Sequence, residues 1–160
     1  MQNNNDNDND NNDSQLYTIA LAGELKHNDY LIFQKSEPCQ IVDVVWSKTG
    51  KHGHRKGHFI GINIFTDKKR ETILNSDERI KIPIVKKTCN HTFVDFFDDY
   101  VTFYDSESKT TKSLPVSNVI SNQIEQLMKK QKQQSNRNLL VHTIIAMNEE
   151  KITSVVLSNK

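Results

Sequence analysis

Residues 39–65, CQIVDVVWSKTGKHGHRKGHFIGINIF, set two apolar runs rich in β-branched and aromatic residues on either side of a basic, glycine-rich centre. The flanks, 39–46 and 58–65, have the composition of β-strands. Ile60, Ile62 and Ile64 alternate with Gly61 and Asn63, the period of two that marks a strand with one buried face. Between the flanks, four of the five glycines (Gly50, Gly53, Gly57, Gly61) interleave with three of the six histidines (His52, His54, His58). Glycine supplies the positive φ angles that a tight hairpin end requires, so the pattern predicts a hairpin whose tip presents Lys51.

Around this hairpin, DYLIF at 29–33 and RIKIPIV at 79–85 are strand-like as well, and a small all-β barrel is their natural closure. Pro83 has no amide proton and restricts the residue before it, which marks an edge or a boundary near 83–86. Beyond it, HTFVDFF (91–97), DYVTFYD (99–105), LLVHTIIAM (139–147) and KITSVVL (151–157) repeat the β composition. They are interrupted once: between Pro115 and Lys132 the apolar residues Val116, Ile120, Ile124, Leu127 and Met128 recur at helical spacing. Ser117 is placed to cap that helix, and Lys129, Lys130 and Lys132 sit where its dipole favours cations. A five-stranded barrel with a helix between strands three and four is the OB arrangement, which often binds oligonucleotides. The expectation is a mainly β chain with domains at 16–84 and 85–160, each able to bury a core. The Asn/Asp-rich tail, 1–15, has no apolar residue after Met1 and is expected to be disordered.

Formal net charge is only +1, but the average hides an asymmetry. The tail carries Asp6, Asp8, Asp10 and Asp13 without a base, leaving 16 of the 20 acids against 21 bases in the remainder. Within 48–70, Lys48, Lys51, Arg55, Lys56, Lys68, Lys69 and Arg70 face one acid, Asp67. Such a concentrated patch favours polyanions, and nucleic acid is the commonest of these inside a cell. No apolar run approaches the length of a membrane span, and the N-terminus resembles neither a signal nor a mitochondrial peptide, so a cytoplasmic or nuclear protein without membrane contact is expected. Cys39 and Cys89 lie in apolar stretches with no neighbouring ligand residue and read as buried free thiols.

Several chemistries fail on the central segment. A phosphate-cradling P-loop needs a glycine five residues before Gly50 and a Ser or Thr after the lysine, and neither is present. His52, His54 and His58 lack zinc-ligand spacing and a fourth ligand. Lys51 on an exposed tip has no enclosing pocket, and no nucleophile is paired with a base and an orienting group, so neither catalytic residues nor a bound cofactor or metal are expected. A polyanion-binding finger fits the set from Lys48 to Lys56: Lys48, Lys51, Arg55 and Lys56 as cations, His52 and His54 as donors or stacking rings, and Thr49, Gly50 and Gly53 as small residues that allow close approach.

The octet Ser47-Lys48-Thr49-Gly50-Lys51-His52-Gly53-His54 resembles the modification loop of the eukaryotic translation initiation factor 5A family, also described as an elongation factor. Pro38-Cys39 and Ile41-Val42 before it, and Lys56, His58, Gly61-Ile62, Ile64-Phe65-Thr66 and Lys68-Lys69 after it, are similar to the family's flanking strands. Leu114-Pro115, Ile124-Glu125, Ala146-Met147 and Glu149-Glu150 echo its second domain, so the likeness runs over roughly 16–160.

The resemblance implies an SH3-like barrel followed by an OB-fold RNA-binding domain, and conversion of Lys51 to hypusine. Deoxyhypusine synthase would transfer an aminobutyl group from spermidine to the lysine, and deoxyhypusine hydroxylase would add a hydroxyl. The lengthened arm would enter the ribosome beside the P-site peptidyl-tRNA and rRNA, helping peptide bond formation at stalled sequences such as proline runs, and termination. A general RNA-binding module, or a paralogue without the modification, is the alternative. The sequence departs from the family at Trp46 (commonly small and polar), Arg55 (commonly alanine), Gly57 (commonly apolar), Asn63 (often Asp) and Asp67 (often Gly). Trp46 reads either as core packing or as a platform for a base.

Overall fold

The computed structural model describes residues 16–48, 55–134 and 136–159. The chain divides into two compact units, Met1–Ile84 with Ala146–Asn148, and Val85–Ile145 with Glu149–Lys160.

The first unit is an SH3-like barrel. Its strands are β1 (Tyr17–Leu21), β2 (Tyr30–Phe33), β3 (Glu37–Lys48), β4 (Arg55–Asn63), β5 (Lys69–Asn75) and β6 (Arg79–Pro83), with a 3-10 turn at Ala22–Glu24. One antiparallel sheet runs β2-β3-β4-β5, and β1 pairs with β6. Ala22, Leu25, Leu31, Phe33, Cys39, Ile41 and Phe59 form the core, with Trp46, Leu74, Ile80 and Ile82 packed against it. The alternation in β4 is real, but its isoleucines do not line the buried face. Gly57, Phe59, Gly61 and Asn63 point inward, while Ile60 and Ile62 are half-buried. Gly61 explains the phase: a Cβ there would lie 2.9 Å from the Phe33 ring and 3.0 Å from Cys39 Cβ, so neighbouring side chains already fill the space. Asn63 closes the strand, its Oδ1 accepting from the amides of Phe65 and Thr66 at 2.9 and 3.1 Å.

The second unit is an OB barrel with one helix among its described residues. It comprises β7 (Lys86–Phe97), β8 (Tyr100–Asp105), β9 (Thr110–Pro115), α1 (Asn118–Gln133), β10 (Leu139–Ala146) and β11 (Glu149–Leu157), in sheet order β11-β10-β7-β8-β9. The helix forms where the apolar spacing placed it. Ser117 Oγ accepts from Ile120 N at 3.4 Å, Ile124 is fully buried, and Ile120, Leu127 and Met128 pack on the core of Val101, Phe103, Leu139, Val141, Ile152 and Val155. Two-residue turns join β7 to β8 through Asp98 and Asp99 (φ 51° and 60°) and β10 to β11 through Met147 and Asn148 (φ 51° and 62°), the left-handed angles that hairpin turns of this length need. Cys39 is buried as expected, and burial pushes its thiol up to about 11. Cys89 is not: it lies exposed on β7, on a strand whose polar neighbours also face solvent.

Candidate nucleic-acid interface

Strands β3 and β4 continue past the core as a two-stranded ribbon, pairing Trp46 with Gly57, Ser47 with Lys56 and Lys48 with Arg55. Directly opposed residues share a face, so Lys48, Arg55 and Trp46 lie on one side and Lys56 on the other. Thr49, Gly50, Lys51, His52, Gly53 and His54, expected at the tip, lie outside the described residues. Of the predicted site residues the structure therefore brings together Lys48, Arg55 and Lys56, all exposed at the end of the ribbon.

Trp46 is half-buried and held on two sides. Its ring meets Phe59 edge-on, centroids 5.5 Å apart at 84°, and the Arg55 guanidinium lies over it, 4.2 Å from the centroid. A cation over an indole is attracted by the ring quadrupole. The indole thus packs on the core, as one reading of it expected, and it also carries the Arg55 cation, which neither reading anticipated. Gly57 makes this possible, since a Cβ there would stand 2.7 Å from Phe59 and 2.9 Å from the Trp46 ring.

The remaining positive charge of the 48–70 segment is partly neutralised. Arg70 donates to Glu37 through Nε at 2.6 Å and through a terminal nitrogen at 3.1 Å, and Lys69 pairs with Glu71 at 2.9 Å. The Arg70 hydrogen bond holds the Glu37 carboxyl below its ordinary range and raises Arg70 in turn. Glu71 is likewise lowered, by Lys69 first and then by His58, whose Nε2 sits 3.1 Å from it. Among the described residues, no ion pair links Lys48, Arg55 or Lys56 to an acid.

The sequence reading missed the Arg55–Trp46 stack and the Glu37–Arg70 clamp. The first was accessible, since once the hairpin register is set Arg55 falls diagonal to Trp46 on the same face. The second joins residues far apart in the chain and left no local signal. Among the described residues, no cluster of three His, Cys, Asp or Glu is placed to hold a metal, and no helix is long and apolar enough to cross a membrane.

An SH3-like barrel carrying a cationic ribbon, followed by an OB barrel, defines a class of two-domain β protein built around a basic hairpin. Residues 14–78 match the family model Translation initiation factor 5A-like, N-terminal. The chain is 37% identical over 139 residues to Eukaryotic translation initiation factor 5A-2 of Solanum lycopersicum, covering 84% of this chain and 81% of that one. It is 36% identical over 137 residues to Eukaryotic translation initiation factor 5A-1 of Arabidopsis thaliana, covering 84% and 82%. Among solved structures, a translation initiation factor 5A family protein from Naegleria fowleri superposes with a TM-score of 0.69 at 29% identity, over 88% of this chain and 98% of its own. Eukaryotic translation initiation factor 5A from Methanococcus jannaschii does so with a TM-score of 0.69 at 27% identity, over 88% and 95%. The chain belongs to the eukaryotic translation initiation factor 5A family.

Proposed function

We propose that this chain is a cytoplasmic translation factor that binds the ribosome beside the P-site peptidyl-tRNA. In this reading it acts through a hypusine made from Lys51, promoting peptide bond formation at stalled sequences such as proline runs and aiding termination. The observation that carries the reading is the ribbon ending on Lys48 opposite Arg55, whose exposed cations bracket the six-residue segment that holds Lys51. Phosphate contacts position a ribosome-bound protein, and Lys48, Arg55 and Lys56 are suited to supply them. A longer arm bearing a second amine and a hydroxyl reaches phosphates and 2′-hydroxyls beyond the span of lysine. Residues 16–84 form the domain that carries the modification, and 85–160 form an OB-fold domain that meets RNA. Deoxyhypusine synthase and deoxyhypusine hydroxylase are the modifying partners, with spermidine the donor.

Two measurements test the proposal. Intact mass of the protein from its native host is expected to exceed the sequence mass by the aminobutyl and hydroxyl additions, localised to Lys51. Lys51→Arg keeps the charge but cannot accept the aminobutyl group, so it is expected to fold and yet fail to support elongation through proline-rich messages in a depleted strain. Full support by Lys51→Arg would leave a simple electrostatic finger.

A further inference from the structure

The most exposed large hydrophobic side chain among the described residues is Phe97, at 80%, on the second unit at the end of β7. It faces Tyr100 directly across the β7–β8 turn, and Tyr100 faces Pro115 on β9. Directly opposed residues share a face, so Phe97, Tyr100 and Pro115 form one row across three strands. The row points away from the barrel, because Val101 and Phe103, which alternate with it, are fully buried. Tyr100 is 49% exposed and Pro115 is exposed as well. An aromatic row left in solvent does not contribute to the barrel's own core, and contiguous exposed apolar surface marks interaction sites.

Charge around the row selects the partner. Asp98 and Asp99 form the turn between its two aromatics. Asp95 stands opposite Thr102, on the same face one rung further along, and all three aspartates are exposed. No lysine or arginine occupies the outward positions of β8, Tyr100, Thr102 and Tyr104, or those opposite them on β9, Thr111, Ser113 and Pro115. Bases stack on aromatic rings, but a nucleic-acid strand laid here would bring phosphates against Asp95 and Asp98 with no cation at these outward positions to offset them. A guanidinium satisfies both features at once, since its plane stacks on Phe97 or Tyr100 while its edge donates two hydrogen bonds to a carboxylate.

We propose that the Phe97–Tyr100–Pro115 row with its aspartate rim is a docking site for an arginine-bearing segment of another protein. The site is on the opposite kind of surface from the cationic ribbon, and it does not depend on Lys51 or its modification. The full chain is titrated with a short arginine-rich peptide, with the same peptide carrying citrulline for arginine, and with a short single-stranded RNA, while the Phe97 and Tyr100 ring resonances are followed by NMR. The arginine peptide is expected to shift both rings and the citrulline peptide to leave them in place. Phe97→Ser with Tyr100→Ser is expected to weaken peptide binding by roughly fivefold or more, and Asp95→Asn with Asp98→Asn to weaken it similarly. All four positions are exposed and none belongs to the core cluster, so the variants are expected to keep the parent's fold and RNA affinity. Peptide binding unchanged by the aromatic pair, equal binding of the citrulline peptide, or ring shifts produced by RNA in place of peptide would each overturn the proposal.

Discussion

An indole needs room, and at Trp46 the opposing strand gives it by carrying no side chain. Trp46 and Gly57 compensate one another, since the ring occupies the volume over the glycine. Gly57→Val is therefore expected to cost about 1 to 3 kcal/mol by overpacking against Trp46 and Phe59. In a Trp46→Ser background the Phe59 ring can move aside, and the same substitution is expected to cost markedly less. A double-mutant cycle by denaturant unfolding measures the coupling, and additive losses would show that the two positions are unrelated. Asn63 and Asp67 have local reasons too. Asn63 accepts the two amides that close its turn, and Asp67 adopts a φ of 59°, which a short polar side chain tolerates. None of this was legible residue by residue, because the oddity of Trp46 resolves only when the hairpin register places Gly57 opposite it.

The β3–β4 ribbon was the most legible element, since glycines, cations and β-branched flanks all pointed to one hairpin. Its phase was not, because hydrophobicity marks Ile60 and Ile62 as inward, whereas close packing against Phe33 and Cys39 gives that face to glycine. Strands β5 and β9 escaped the reading for a related reason. Lys69–Asn75 and Thr110–Pro115 alternate charged or polar residues with few apolar ones, as strands with one solvated face do. At the ribbon's end, neutralising Lys48, Arg55 and Lys56 together is expected to weaken ribosome binding and flatten its salt dependence. Each lost phosphate contact should lower the slope by roughly 0.7 to 0.9. His52→Ala and His54→Ala are expected to reduce activity with the slope nearly unchanged, since neutral imidazoles add little Coulombic attraction. A slope unaltered by the triple substitution would show that these cations face only solvent.

Across the whole molecule, each unit has its own core and its own charged clamp, and no residue is shared between the two cores. In the first, Glu37 is held low by Arg70. In the second, Ser108 first, and then Lys112 and two backbone amides, hold the Asp105 carboxyl far below its ordinary range against the opposing effect of burial. Lys112 bridges Asp105 and Glu150, each at 3.1 Å; burial pulls its ammonium down, but these bonds outweigh it and leave the group raised. Carboxyls lowered in the folded state bind protons more tightly once unfolded. Their stabilisation is thus full above the ordinary carboxylate range and fades as pH falls through and below it. Both units should lose stability in acid, and Lys112→Met is expected to reduce the second unit's share of that dependence. Two reporters separate the units: Trp46, the sole tryptophan, packs on the first core, and α1 is the one α-helix among the described residues. Ile124→Ala empties a fully buried site on the inner face of α1 and should cost about 2 to 5 kcal/mol. The helical circular dichroism transition is expected to move to lower denaturant while the Trp46 fluorescence transition stays in place. If both transitions move together, the two cores unfold as one cooperative body, and the division into domains at 16–84 and 85–160 does not describe the energetics of this chain.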